Sequence, residues 1–159
     1  MDRISSYGVF RDAPHGINHC LVNEYLPGQG IMPHEDGAAY YPVVATVSLG
    51  GSSILNVTEK SRSGDVGTER RSWRILQEPR SLLLTIGAAY KDTLHGIEEI
   101  IEDLDLNKDT VANWNILGDS TAIVANEGRT ERTTRVSLTY RDVLKVSKVA
   151  SKIFGKPKT

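Results

Sequence analysis

The sequence predicts a mainly β protein, a sandwich or barrel of short strands followed by a short C-terminal helix. Short β-branched runs recur along the chain, and Gly, Pro and Ser turns separate them. No βαβ rhythm of strands alternating with long helices is present. At 159 residues, with 39% hydrophobic and 25% charged content, the chain has the size and balance of one globular domain.

Residues 1–18 carry Gly8, Pro14 and Gly16 with little pattern and read as an irregular lead-in. The body is expected over 19–142. Its strands are predicted at 19–25, 43–49, 53–58, 73–77, 81–86, 121–125 and 132–141, where β-branched residues cluster between turn formers. The stretch 96–102 fits a strand or a helix. Two polar insertions interrupt the series. One, at 60–74, holds Lys60, Arg62, Arg70, Arg71 and Arg74, relieved by Asp65 and Glu69; the other, at 103–120, has Trp114 as an anchor onto the body. Residues 143–159 read as a helix and basic tail. Val146, Val149, Ala150 and Ile153 fall at helical spacing, with Lys145, Lys148 and Lys152 on another face. Those lysines suit a solvated face or a phosphate-contacting tail.

With 19 basic and 20 acidic residues, the molecule as a whole gives no electrostatic argument for a polyanionic partner. The single cysteine, Cys20, rules out an internal disulfide and suits a reducing intracellular setting. It sits in an apolar run and reads as buried filler. No membrane span is expected, and Met1-Asp-Arg-Ile-Ser-Ser lacks a signal peptide's apolar core.

The stretch from Leu21 to Gly37 reads as a strand, a Pro-Gly turn and then His34 and Asp36 at the entry to the next strand. In extended chain alternate side chains share a face, so His34 and Asp36 point together while Glu35 points away. An imidazole and a carboxylate are two thirds of a 2-His-1-carboxylate metal site. Alone, the pair fits a hydrogen-bonded surface contact equally well. His95, in Tyr90-Lys-Asp-Thr-Leu-His-Gly96, lies 61 positions after His34, with several strands between to carry a third ligand across a closed sheet. His15 and His19 are weaker candidates.

In Arg135-Val-Ser-Leu-Thr-Tyr-Arg141, one face reads Arg135, Ser137, Thr139, Arg141 and the other Val136, Leu138, Tyr140. Two guanidiniums flanking hydroxyls suit a small dicarboxylate; the alternative is the exposed polar face of an edge strand. Asn23 and Tyr25, again at alternate positions, are able to donate to a carboxylate, although Tyr25 suits a core aromatic as well.

In this order and spacing, Asn23-x-Tyr25, His34-x-Asp36, the following strand, His95 and Arg135-x-Ser137 with Arg141 resemble the AlkB-like family of iron(II)- and 2-oxoglutarate-dependent dioxygenases. The wording Leu-Pro-Gly-x-Gly-Ile-Met-Pro-His-Glu-Asp-Gly is most similar to the sixth animal and plant branch. The resemblance implies a double-stranded β-helix (jelly-roll) core, with His34, Asp36 and His95 on iron(II). It implies Asn23, Tyr25, Arg135, Ser137 and Arg141 on 2-oxoglutarate, with Arg135 on the distal carboxylate and Arg141's partner oxygen open. The implied reaction consumes dioxygen and 2-oxoglutarate, releases succinate, and hydroxylates an N-methyl carbon that leaves as formaldehyde. The implied substrate is alkylated RNA or DNA, in the nucleus or cytoplasm.

Family members generally carry an upstream nucleotide-recognition lid; only the lead-in precedes Asn23, so the lid is expected to be missing or reduced. Two residues after the metal carboxylate, the bacterial founder has a base-reading acid where this chain has Ala38. Tyr40 and Tyr41 then become candidates to stack on a flipped base, or else one buried and one exposed aromatic at a strand entry. Arg70 and Arg71 are candidate phosphate contacts. Two other functions compete: a nucleic-acid binder with little catalysis, and a dioxygenase acting on a protein side chain. Retention of all three ligands and both arginines favours working iron chemistry, and the presence of Asp36 disfavours a halogenase.

Overall fold

The computed structural model describes residues 2–61 and 69–145. Its core strands are β1 (His19–Tyr25), β2 (Ile31–His34), β3 (Val43–Gly50), β4 (Ser53–Glu59), β5 (Ser72–Gln77), β6 (Leu82–Ile86) and β7 (Thr93–Ile97). Short β8 (Glu102–Asp103) and β9 (Thr130–Glu131) follow, and β10 (Arg135–Arg141) completes the set. The core strands form two four-stranded sheets, one with the order β1-β10-β3-β6 and the other β2-β7-β4-β5, and apart from the β4–β5 pair successive core strands alternate between them. Every pairing is antiparallel. The chain therefore winds back and forth between two facing sheets, which is the jelly-roll arrangement.

What faces inward is unusual for a sandwich. On β10, Arg135, Ser137, Thr139 and Arg141 are all buried while Val136, Leu138 and Tyr140 are half-buried. The apolar packing lies largely on the outsides. Outside the first sheet, Val43 and Ala45 of β3 join Ile4 and Phe10 of the lead-in, with Val9, Ala13, Ile17, Leu82, Leu84 and Tyr140 packed around them. Fully buried Asp142 ties the lead-in down: it accepts from His15 N (3.1 Å), His15 Nδ1 (3.0 Å) and Asn18 Nδ2 (2.9 Å). Residues 2–18, part of the segment expected to be irregular, thus form a cover for β3 and β6. The short helix α1 (Asp2–Ser5) and successive turns give its apolar residues no single period to read.

Outside the second sheet, Ile54 and Leu76 pack with Leu106, Val111 and Ile123, and Trp114 and Leu117 lean on that cluster. Trp114 therefore anchors the insertion as expected. A buried ion pair holds the same region: Arg132 donates from Nε and a terminal nitrogen to Asp103 (2.9 and 2.7 Å), and to the Glu98 carbonyl (2.6 Å).

Several expectations fail at identifiable points. Residues 121–125 lie in a helix, α3 (Ser120–Ala125), because Asp119 caps it by accepting from Ala122 N at 3.0 Å and Ile123 buries against the sheet. The chain between Ile97 and Glu102 is neither strand nor helix. A strand unanticipated by the sequence reading, β2, ends at His34, so His34 closes a strand instead of opening one. Another helix, α2 (Gly87–Lys91), precedes β7. Cys20 is exposed, because the lead-in covers β3 and β6 but not the outer face of β1. Val143 bridges to Tyr40, and Leu144 N donates to Ala39 O, so the expected C-terminal helix does not begin there. The remainder of that segment, from residue 146, lies outside the described residues. Among the described residues, no helix is long and apolar enough to cross a membrane.

Candidate metal and cosubstrate site

The second sheet sets His34 opposite His95, His95 opposite Val57, and Val57 opposite Trp73. Residues paired in this way point to the same face, so these four side chains form one row across the interior. The two imidazoles stand 4.5 Å apart, tilted by 56°. Gly96 permits this approach: a Cβ there would fall 2.9 Å from both the Ile31 carbonyl and Pro33 N. His34 Nδ1 lies 2.9 Å from the Met32 carbonyl, which accepts and cannot donate. That contact puts the proton on Nδ1 and leaves Nε2 free as a ligand atom.

Asp36 follows β2 and its side chain is 4% exposed. Its Oδ2 is 3.8 Å from His95 Nε2, and its Oδ1 is in ion-pair contact with Arg141, though not aligned as a hydrogen bond. Tyr90 secures the loop by donating to the Gly37 carbonyl at 2.7 Å. Burial lowers the pKa of His95; Asp36 opposes that shift, and His34 and Arg141 reinforce it. A neutral imidazole is the form that binds a metal.

The other end of the cavity is built by the first sheet. There β10 is central, and its register places Ser137 opposite Asn23 and Arg135 opposite Tyr25. The edge-strand alternative for residues 135–141 is thereby excluded. Arg135, 3% exposed, donates to Ser48 Oγ at 2.9 Å and Gln77 Oε1 at 3.0 Å, with its guanidinium 5.6 Å from the Tyr25 ring. Its Nε is buried without a partner, as is that of Arg141. Burial lowers the Arg135 pKa against the pull of Tyr25, yet a guanidinium remains charged. Burial raises Tyr25, opposed by Arg135 and Asn23, so its hydroxyl keeps a proton to donate.

All eight predicted metal and cosubstrate residues, His34, Asp36, His95, Asn23, Tyr25, Arg135, Ser137 and Arg141, line one cavity of about 160 Å³. The predicted substrate residues separate. Tyr40 lies 4.7 Å from the Arg141 guanidinium, beside the cavity. Tyr41 packs with the lead-in outside the first sheet and is removed as a base-stacking candidate; neighbouring residues of extended chain point oppositely. Arg71 pairs with Glu59 and sits 5.6 Å from the Trp73 ring, and Arg70 is exposed next to it. Ser48, Gln77 and Tyr90 were missed by the sequence reading. Gln77 had a faint signal, as the last alternate position in Trp73-x-Ile75-x-Gln77.

A larger concavity of about 570 Å³ opens near α3, β8 and β9, lined by Glu78, Glu102, Asp119 and Glu131 with Arg129. It lacks converging imidazoles and arginines, so the smaller cavity is the candidate site. Among the described residues, no three His, Cys, Asp or Glu donors stand close enough together to hold an ion as they are. The donor set nevertheless fits iron(II): two imidazoles and a carboxylate, with His34 oriented by the Met32 carbonyl. The unpartnered guanidinium Nε atoms fit a carboxylate ligand beside them.

Comparison with known proteins follows the same lines. The model of the 2OG-Fe(II) oxygenase superfamily matches residues 6–141. The chain is 39% identical over 151 residues to "Probable RNA/DNA demethylase ALKBH6" of Danio rerio, covering 91% of this chain and 60% of that protein. It is 28% identical over 130 residues to "tRNA (carboxymethyluridine(34)-5-O)-methyltransferase alkbh8" of Xenopus tropicalis, covering 81% of this chain and 19% of that one. The chain thus spans only part of the length of the curated relatives it matches. Among solved structures, OsALKBH1 is similar with a TM-score of 0.47 at 19% identity, over 88% of this chain and 59% of that one.

Proposed function

The chain belongs to the 2OG-Fe(II) oxygenase superfamily, and from that premise we propose an iron(II)- and 2-oxoglutarate-dependent dioxygenase that oxidatively demethylates alkylated nucleic acid. One observation carries the reading. A single cavity has two imidazoles and a carboxylate at one end and a buried arginine with an unpartnered nitrogen at the other. The nucleic-acid substrate rests on the similarity to the fish relative named as an RNA/DNA demethylase, supported mildly by exposed Arg70 and Arg71. An intracellular location, nuclear or cytoplasmic, belongs to the same proposal.

His34 Nε2, His95 Nε2 and Asp36 would hold iron(II). Bound iron(II) with 2-oxoglutarate supplies dioxygen activation and the oxidation of an N-methyl carbon, leaving succinate, carbon dioxide and formaldehyde. The chain's own part is placement and charge. Arg135, held by Ser48 and Gln77, presents its remaining donors to the distal carboxylate of 2-oxoglutarate. Tyr25, Asn23 and Ser137 add neutral hydrogen-bond donors along the same wall. Arg141 holds the Asp36 carboxylate in place through direct ion-pair contact. Ile31, Leu55 and Ile97 give the cavity an apolar side that limits water.

Succinate release measured across methylated RNA and DNA oligonucleotides, with methylated peptides alongside, tests this reading. Iron-dependent release stimulated by a methylated oligonucleotide is expected. Stimulation by peptides alone would move the substrate to protein, and oligonucleotide binding without succinate would leave a binding protein.

A further inference from the structure

We propose that Trp73 is the platform on which the substrate base stacks, so that an edge strand of the second sheet takes part in reading the nucleic acid. The inference rests on the demethylase reading and assigns a residue to its substrate side. Its first support is register. Trp73 lies in the same row as both imidazoles, two strands from His95, and therefore faces the same interior. Two strand spacings put its Cα roughly 10 Å from that of His95. One nucleotide bridges such a gap.

The second support is its environment. Although its side faces the interior, Trp73 is 36% exposed. It is at the edge of the sheet, where among the described residues no further strand pairs with β5. The guanidinium of Arg71 stands 5.6 Å from its ring, and Arg71 is itself anchored on Glu59. An indole with a cation beside it is suited to a nucleobase, because every base offers a π face and the adjoining phosphate is anionic.

The third support is what the rest of the mouth lacks. The cavity of about 160 Å³ carries the residues proposed for metal and 2-oxoglutarate, so a base must sit at its opening. Ala38 offers a methyl group and no hydrogen bond, and Tyr41 is turned to the opposite side of the first sheet. Tyr40 is engaged with Arg141.

The test measures binding, by fluorescence anisotropy, of a short single-stranded oligonucleotide carrying one methylated base. Wild type, Trp73→Ala and Trp73→Phe are compared in a His34→Ala background, which makes the readout independent of turnover. A matched oligonucleotide abasic at the same position serves as the second probe. Trp73→Ala is expected to weaken binding of the base-bearing oligonucleotide by roughly 5- to 100-fold. Trp73→Phe should restore it to within about threefold, and the abasic probe should bind all three alike. Equal affinities for the base-bearing probe, including no binding by any of them, would overturn the proposal. So would an equal loss on both probes, which would make the indole a packing residue. Failure of the catalytic reading is distinguishable: it would appear as absent succinate from the protein with intact His34, whatever these affinities are.

Discussion

Arg135 and Arg141 stand at opposite ends of one face of β10 and are held in opposite ways. At the deep end, Arg135 is gripped by neutral partners, the Ser48 hydroxyl and the Gln77 amide oxygen, with the Tyr25 ring nearby. Its charge is oriented but not cancelled. At the mouth, Arg141 is paired with the buried carboxylate of Asp36, so its charge is largely spent. The same residue type therefore does two jobs. Under the proposed function, the deep end would receive an anion with or without a metal, whereas the mouth would redistribute charge when a cation meets Asp36.

The largest effect should come from the mouth. Replacing His34 by Ala removes a proposed ligand, and iron-dependent succinate release should fall by more than about 100-fold, above the range for residues that merely support ligands. Circular dichroism should show the fold intact. Equal turnover by wild type and variant would end the enzymatic reading. Next, Arg135→Ala should weaken 2-oxoglutarate by about 30-fold or more, the usual outcome of truncating one partner of a buried charged contact. Titration of 2-oxoglutarate and of Mn(II) as an iron stand-in should show the loss in the first alone. A matching loss in Mn(II) affinity would break the distinction between the two ends.

Two smaller changes sharpen it. Gln77→Leu should raise the KM for 2-oxoglutarate about tenfold with kcat within about twofold, as expected for losing one hydrogen bond to a charged group. Gly96→Ala should do the reverse. It touches no ligand, but it would push β2 from β7 and spread the imidazoles, lowering Mn(II) affinity about tenfold while sparing 2-oxoglutarate. The smallest effect lies outside the cavity. Charge reversal at Arg70 and Arg71 should weaken oligonucleotide binding a few-fold and reduce its salt dependence, by about 0.7 in logarithmic slope for each phosphate that is no longer neutralised. Unchanged binding at low salt would assign both to solvent.

The site was more legible in the sequence than the body that surrounds it. Strand periodicity is two, so Arg135-x-Ser137 and Asn23-x-Tyr25 could be placed on common faces without coordinates. Periodicity does not say which face is inside. On β10 the polar face is the buried one, because it lines a pocket, and the rule that sends polar residues to water would invert it. Cys20 was misjudged for the same reason. Ser48 and Gln77 look like ordinary strand residues, since their purpose depends on an arginine far along the chain. The lead-in and α3 escaped because tertiary burial of Phe10 and Ile123, instead of local propensity, decides their structure. β2 escaped because it is four residues long and carries Pro33.

The place of β10 has a consequence for biosynthesis. It inserts between β1 and β3, strands that leave the ribosome far earlier. Until it emerges, β1 has no partner strand and β3 has one open edge, and loop closure of this length makes docking slow. During that interval the residues proposed for the metal are already made, while both arginines are not. Complete synthesis of this one strand therefore both seals the sheet and completes the proposed site.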